Sequence, residues 1–370
     1  MITSTANLGA TSTSESAAAP TNTPASPEPS GDKPQAARDL RYYRQILVPL
    51  LDPKIFQPNM GRLIPLGACV LVSLCILVAM AELGLAWPTK LVLGLALGFC
   101  TGSMAFLGHE ILHGSVVKSS RWQMFLGFFA TMPFLIAPTY WKFTHNRLHH
   151  GKAQRLGLDP DAFPNLRLFR QSSYLKAIFP FTPGSGHKRS YLYFFFWFAL
   201  HNFMAQVRFR FENKIYEGLN QRRATIELIG QSAIVAGLML YVGPSNWLWA
   251  MLIPFMVQNY LLMSYISTNH NLSPLTSEND PLANSLSVTN HPLLEYLNLD
   301  FGYHVEHHIF PTLSGKHIKQ VHRLLVEKFP DTYKIMPKWQ AIKALYKTAR
   351  IYKNSRELIN PETLEVYPTL

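Results

Sequence analysis

Residues 91–113 read LVLGLALGFCTGSMAFLGHEILH, an uncharged apolar run that leads directly into a histidine pair, His109 and His113. The run at 91–107 approaches the ~20 residues that a helix needs to cross the hydrocarbon core of a bilayer. Residues four apart share one face of a helix, so both histidines can point at one metal ion. The stretch therefore predicts a membrane helix that carries metal ligands at its end.

The composition supports a membrane protein, because 48% of the 370 residues are apolar and only 15% are charged. Apolar residues are also concentrated in three further runs, at 63–81, 226–242 and 247–266, in which Glu227 is the only charged residue. We therefore predict an all-α integral membrane fold of four transmembrane helices with a cytoplasmic helical cap that carries the histidine clusters. The predicted spans are about 63–83, 91–108, 225–242 and 247–266.

The basic residues predict the orientation, because positive charge stays on the cytoplasmic side when helices insert. With those four spans, the two external loops hold Lys90 alone, and the other 33 of the 34 lysines and arginines lie on the opposite side. We expect a multi-pass protein with both termini and the histidine clusters in the cytoplasm. The net charge of +12 then faces anionic lipid or an acidic partner. The chain has no nucleic-acid motif, so we expect no nucleic-acid partner.

The rest of the chain divides around these spans. Residues 1–38, rich in Ala, Ser, Thr and Pro, cannot bury enough apolar surface to fold and are predicted to be a disordered tail. We predict an interfacial lead-in at residues 39–62, the membrane domain at 63–352 and a C-terminal tail at 353–370.

Two more apolar stretches need an assignment. The run at 124–137 is predicted to be a re-entrant or interfacial helix, because a crossing there would separate the second histidine cluster from the first. The aromatic run that starts at residue 191 predicts a helix lying at the interface, with membrane packing as its role.

Two further histidine clusters follow the first, and tight spacing lets one segment present several ligands to a metal. In a helix His150 is rotated by roughly 100° from His149, so one of these rings can serve a neighbouring metal ion. His270 follows the fourth span and returns to the same face of the membrane, which makes it a ninth candidate. Eight clustered imidazoles exceed the needs of one ion and suit two. The second and third clusters are His145, His149 and His150, and His304, His307 and His308.

Polar neighbours of the clusters are candidates for fixing the rings in place. Glu110, Asp159, Asp161 and Glu306 can accept hydrogen bonds from ring N–H groups, and Asn271 can bond a ligand or a bound water. The remaining histidines are predicted to be ordinary surface or core residues: His187, His201, His291, His317 and His322.

Two other functions compete with a two-metal enzyme. The first cluster matches H-E-x-x-H, in which the histidines bind zinc and the glutamate, here Glu110, acts as base, so an intramembrane zinc metalloprotease with Asp300 as third ligand is an alternative. That reading leaves six clustered histidines without a role. A transporter or proton relay would need ionisable residues at mid-span, and only Glu227 comes near.

The order H-x3-H, H-x3-HH and H-x2-HH, with two spans on each side of the middle cluster, resembles the membrane fatty acid desaturase superfamily. The resemblance covers about residues 63–352, and 298–311, NLDFGYHVEHHIFP, is especially similar to that family's third histidine box. It implies a non-haem centre of two iron ions that uses O2 to remove two hydrogens from a lipid acyl chain. The implied iron ligands are His109, His113, His145, His149, His150, His304, His307 and His308.

Two departures refine the resemblance. The first box has three intervening residues, where acyl-CoA desaturases of animals and yeast have four, which favours an acyl-lipid substrate. His304 stands where desaturases fused to cytochrome b5 commonly have glutamine, and no His-Pro-Gly-Gly segment is present. We expect a separate electron donor, a ferredoxin or cytochrome b5, and the basic segment 316–328 is either its dock or a solvated helix face. Hydroxylases and carotenoid ketolases share these boxes and remain alternatives.

Overall fold

The computed structural model describes residues 39–370, so the predicted disordered tail at 1–38 lies outside the described part of the chain. Within that part, four helices are long and apolar enough to cross a membrane. The prediction of an all-α membrane fold with four spans is therefore confirmed. Backbone polar groups have no water to bond inside a bilayer, and a helix satisfies them within its own segment. The four spans are Met60–Glu82, Trp87–His113, Gln221–Val242 and Leu248–His270.

The helices and strands are numbered along the chain. The α-helices are α1 (Leu40–Leu47), α2 (Leu63–Glu82), α3 (Trp87–His113), α4 (Ser120–Thr131), α5 (Pro138–Trp141), α6 (His150–Lys152), α7 (Leu166–Gln171), α8 (Ser173–Ile178), α9 (Tyr193–Met204), α10 (Arg210–Glu212), α11 (Gln221–Val242), α12 (Ile253–His270), α13 (Pro281–Asn284), α14 (Pro292–Leu297), α15 (His304–Ile309), α16 (Ile318–Lys328) and α17 (Lys338–Leu345). Segments of π-helix occupy Lys142–His149, Ala205–Phe209 and Leu248–Leu252. The strands are β1 (Ser287–Thr289), β2 (Ile335–Pro337), β3 (Glu357–Ile359) and β4 (Val366–Pro368).

Helix α3 is the element that joins the membrane to the histidines. Its 27 residues correspond to about 40 Å, which exceeds the ~30 Å hydrocarbon core, so one end extends beyond the bilayer. The helix ends at Gly114, whose φ of 83° is one that glycine adopts without strain. The last turns of α3 therefore present His109 and His113 at one end of the bundle, which we call the histidine end.

Close packing of α3 against α12 brings His270 to the same end. Gly94, Gly98 and Gly102 form a stripe along α3, and a Cβ atom on Gly98 would lie 2.6 Å from Val257 Cβ. Small residues spaced four apart let two membrane helices approach closely. At the opposite end of the bundle, Lys90 Nζ in the first turn of α3 donates to Asn246 Oδ1 over 2.7 Å, which joins α3 to the loop between α11 and α12.

The apolar stretch at 124–137 forms α4 and a following turn, and it enters and leaves at the histidine end. The pair Ser120–Phe134 and Pro138–Lys152 is bent by 98°, and the chain returns so that His145 lies beside His109. Glu227 on α11 accepts hydrogen bonds from the Thr139 amide and hydroxyl, both at 2.8 Å. Glu227 thus holds the start of α5, a structural role that does not suggest a proton relay.

The histidine end is covered by the cap. Tyr43 and Leu47 of α1, from the segment predicted to be a lead-in, are buried in a core formed with α15 and α16. Strand β1 pairs with β2 in parallel, and β3 pairs with β4 antiparallel. Ile359 of β3 is buried with Phe169 and Phe179, and the Leu370 amide donates to the Leu272 carbonyl, so the C-terminal segment predicted to be a tail packs on the rest of the protein.

Candidate metal centre

Among the described residues, nine histidine rings converge at the histidine end in two adjacent groups. The first group takes two rings from α3, two from the second cluster and one from α15. Its Nε2 atoms lie close together, at 3.0 Å for His109 and His145 and 3.1 Å for His150 and His307. The first group is His109, His113, His145, His150 and His307.

The second group has four rings, all of them buried. His270 is central, because its Nε2 lies 2.7 Å from His304 Nε2 and 3.1 Å from His149 Nε2. His308 completes the group, 3.1 Å from His304. The ring of His308 also stacks on that of His150 with centroids 4.3 Å apart, so the two groups are in direct contact.

These distances fit metal binding better than hydrogen bonding. A neutral imidazole has one N–H donor, so a ring whose Nε2 faces two other Nε2 atoms cannot satisfy both contacts. Two nitrogens bound at about 2.1 Å to one ion, at a right angle, lie about 3 Å apart. The buried Nε2 of His113 has no hydrogen-bond partner among the described residues. Each group can therefore hold one metal ion.

A π-helix explains how the second cluster divides between the groups. In the segment Lys142–His149 the turns are π-helical, and the amide of His150 donates to the carbonyl of His145 five residues earlier. Residues five apart are therefore closer in rotation about the axis than in an α-helix. His145 and His150 consequently join the first group, while His149 points to the second. The rotation of His150 relative to His149 was expected from an ordinary helix, but the pairing of His145 with His150 was not.

Residues behind the second group fix two of its rings. Asp159 Oδ1 accepts from His149 Nδ1 at 3.1 Å, and Asp161 lies 3.4 Å from the same nitrogen. The Asn284 carbonyl accepts from His270 Nδ1 at 3.2 Å. A ring nitrogen held in this way directs the other nitrogen, Nε2, toward the metal position. Both carboxylates, of Asp159 and Asp161, therefore lie on the Nδ1 side of the His149 ring.

Glu110, in contrast, does not contact a histidine ring. Its carboxylate pairs with Arg62 Nη2 at 3.2 Å and accepts from the Ser314 hydroxyl at 2.9 Å. The prediction that Glu110 orients a ring is wrong, because in an α-helix its side chain points away from the face shared by His109 and His113. It instead ties α3 to the start of α2 and to the loop after α15.

Glu306 also lies behind its cluster, and the ring that it contacts is His322, which does not belong to the cluster. The fully buried carboxylate accepts from Ser287 Oγ and from Tyr333 OH, both at 2.5 Å, and lies 3.2 Å from His322 Nδ1. Glu306 thus anchors α15 to β1 and to the chain beyond α16. His322, which the sequence analysis assigned to the ordinary residues, is part of this support.

The geometry does not support the zinc protease alternative. Glu110 is engaged by Arg62 on the far side of α3, where it cannot act as base for a zinc ion bound by His109 and His113. Asp300, the proposed third ligand, pairs with Lys319 Nζ at 2.8 Å. Asn271, expected to bond a ligand or a bound water, follows His270 directly and lines the cavity beside the histidines. Its backbone carbonyl accepts from Arg350 Nη1 at 3.3 Å.

A largely apolar cavity of about 390 Å³ lies against both groups. His109 and His145 of the first group, and His149, His270 and His304 of the second, form part of its wall. The aromatic helix α9 lines the cavity through Tyr193, Trp197 and Phe198. His201 on the same helix also faces the cavity. The helix therefore forms cavity wall in addition to the expected membrane packing, for which its exposed residues Leu200 and Phe203 remain available.

Burial keeps the histidines of α15 in the form that binds metals. Desolvation lowers the pKa of His304, His307 and His308 well below the usual value, and neighbouring rings lower it further. Burial acts to raise the pKa of Asp159, but the adjacent His149 outweighs it, so this carboxyl group has a lowered pKa and stays ionised. Burial acts to lower the pKa of His149, but Asp159 outweighs it and raises this pKa to about 9, so the His149 ring must release a proton when it binds a metal.

Comparison with known proteins agrees with this fold and site. The family model described as fatty acid desaturase matches residues 85–339, which include all three histidine clusters and both groups. The chain belongs to the fatty acid desaturase family, as its resemblance predicted. It is similar to fatty acid desaturase 3 of Bos taurus, with 23% identity over 329 residues that cover 84% of this chain and 72% of the relative. The family supports an oxidoreductase in a multi-pass membrane protein.

Proposed function

We propose that the chain is an O2-dependent desaturase that introduces a double bond into an acyl chain of a membrane lipid, with electrons from a separate donor. The observation that carries the proposal is the convergence of nine histidine nitrogens, in two adjacent groups, on the wall of a largely apolar cavity. Iron is the metal that matches this reaction, because imidazole binds it well and it is redox-active. The ligands would be the five histidines of the first group and the four of the second.

When bound, two irons would supply the activation of O2 and an oxidant able to take hydrogen from an unactivated methylene. Overall, two hydrogens leave adjacent carbons, the donor provides two electrons in two one-electron steps, solvent provides two protons, and one O2 becomes two waters. The protein's own part is to position the chain and exclude water. Phe106, Leu262 and Phe301 form apolar wall beside the histidines, where they can hold methylenes close to the metal positions.

Orientation is part of the proposal. Lys90 is the one basic residue that the predicted topology assigns to the end opposite the histidines, where it contacts Asn246. The positive-inside rule then supports a cytoplasmic location for the termini and the histidine end. A ferredoxin or cytochrome b5 would dock on that basic side. In α16, Lys319 is already paired with Glu295 and Asp300, so less of the segment 316–328 is free for docking than its charge indicates.

The decisive experiment is expression in a host that lacks polyunsaturated lipids, followed by mass spectrometry of its acyl chains. The proposal expects new double bonds that disappear when His308→Ala replaces the wild type. A new hydroxyl group in place of a double bond would identify a hydroxylase of the same family. Purified protein without iron, or full activity of the His308→Ala variant, would contradict the di-iron proposal.

A further inference from the structure

A second cavity, of about 590 Å³, lies within the membrane-spanning part of the molecule. We call it the groove. It is lined from α2 by residues such as Leu63, Gly67 and Leu77, and on its other sides by α3, α4, α11 and α12. Its size falls within the ~300–1,000 Å³ typical of ligand sites. None of its lining residues belongs to either histidine group.

The groove exists because α11 packs loosely. About a tenth of the apolar part of α11 is buried inside the protein, compared with about half for α3 and α12. Three side chains of α11 line the groove, Val235, Leu238 and Met239. Leu238 and Met239 also pack against a cluster that contains residues of α2 and α3. At this depth the surrounding medium is hydrocarbon, so a gap between spans is filled by an apolar molecule.

The shape and chemistry of the groove match one acyl chain. From Leu63 to Leu77 it follows α2 for about 21 Å, longer than the ~15 Å of one bilayer leaflet. No lining residue is charged. Three lining residues have polar side chains. Thr101 and Gln258 donate to the backbone carbonyls of Leu97 and Pro133, whereas the buried hydroxyl of Ser73 has no hydrogen-bond partner among the described residues. The rest of the lining is apolar, so one hydroxyl leaves the groove suited to a hydrocarbon chain.

The rim at the histidine end is suited to a phosphate. Leu126 and Phe129 of α4 line the groove, and Trp122 lies about one turn nearer the histidine end on the same face. Trp122 is 57% exposed, as expected of a tryptophan at the level of lipid headgroups. Arg121 and Lys118 are exposed beside it and can attract an anionic headgroup.

The groove lies next to the cavity beside the histidines, and one turn of the chain separates the two. In the turn after α4, Met132 and Pro133 line the groove, while Phe134 lines the cavity. The hydrogen bond from Gln258 Nε2 to the Pro133 carbonyl holds this turn against α12 at 3.2 Å. A chain held in the groove therefore supports one wall of the cavity and leaves its interior open to substrate.

From this arrangement we propose that the groove binds one acyl chain of a bilayer phospholipid, at a site distinct from the substrate cavity. The occupant would stabilise the loosely packed α11 and the wall formed by Met132 and Pro133. Gly67 offers a direct test, since a Cβ atom there meets nothing within 4 Å and a larger side chain would extend into the groove. Gly237 on α11 is a matched control, because it has the same free space but does not line the groove.

The experiment compares wild type, Gly67→Phe and Gly237→Phe after purification in mild detergent, with bound phospholipid counted by native mass spectrometry. We expect wild type and Gly237→Phe to retain one phospholipid and Gly67→Phe to retain none. Added phosphatidylglycerol should raise the melting temperature of the first two and not of Gly67→Phe. Retention of the lipid by Gly67→Phe would overturn the proposal, as would a bound sterol or a second copy of the chain in place of the phospholipid.

Two additions keep the result interpretable. Gly67→Leu is a smaller replacement to use if the phenylalanine variant does not fold, and Arg121→Gln should weaken retention of phosphatidylglycerol without filling the groove. Iron content and product formation test the proposed desaturase separately. Gly67→Phe should keep its iron and its product, and loss of both would show that the groove is not a distinct site.

Discussion

The two histidine groups differ in what holds them. In the first group, the ring hydrogen-bond contacts found within residues 39–370 join only its own members. In the second group, Asp159 and the Asn284 carbonyl fix two rings from behind. Five nitrogens nearly fill the shell of an ion that takes up to about six ligands, whereas four leave more room. With metal bound, the second group would therefore leave more positions for exchangeable ligands than the first.

Removing one ring from each group should have the largest effect. We expect His308→Ala and His113→Ala each to lower iron from two ions per chain to one or fewer and to abolish the product, because both irons are needed. Lipid mass spectrometry and metal analysis provide the readouts. His187→Ala, which removes an exposed histidine paired with Glu362, is the control and should keep both. Two irons and full product in His113→Ala would mean that the first group is not a metal site.

Asp159→Asn should affect the groups unequally. Loss of the carboxylate behind His149 is expected to weaken metal binding in the second group about 10- to 100-fold and to leave the first group unchanged. Titration with a chelator, followed by iron spectroscopy, measures the two affinities. Asp161→Asn is the matched control with a smaller effect, because Asp161 lies farther from His149 and is partly exposed. Equal weakening of both groups by Asp159→Asn would remove the proposed difference between them.

Glu110→Gln tests a residue that lies beside the first group without touching a ring. We expect a loss of about 1–3 kcal/mol in stability, because a buried carboxylate loses its charge next to Arg62, while product formed per bound iron stays near wild type. The melting temperature and the ratio of product to iron provide the readouts. A normal melting temperature combined with abolished chemistry would instead indicate a base of the metalloprotease type.

Tyr333→Phe should give the smallest change. It removes one hydrogen bond to Glu306, while Ser287 and His322 remain, so we expect a cost of about 1–2 kcal/mol. Since α15 supplies rings to both groups, both should lose iron slightly and to the same extent. Tyr296→Phe, at an exposed position in α14, is the control. A selective loss from one group would show that Glu306 does not support α15 as a unit.

Much of this centre could be predicted from residue spacing. The three clusters, and the position of His270 at the end of a span, were enough to predict that nine rings lie on one side of the membrane. The division into groups was not predictable, because it depends on π-helical geometry over Lys142–His149. The roles of Glu110 and Glu306 also depended on partners distant in the chain, Arg62 and Tyr333. His322 could have been suspected only once α16 was known to pack beside α15.

The glycine stripe of α3 links positions deep in the bilayer to the placement of the histidine rings. Gly98 lies eleven residues, or about 16 Å, below His109, yet its contact with Val257 helps determine how closely two ligand-bearing helices approach. An alanine there would widen the helix pair and shift His270 relative to His109 and His113. A genetic screen for lost activity would then recover the Gly98→Ala replacement together with replacements of the histidines. Its cause would be the altered distance between two helices, although Gly98 itself lies far from the metal positions.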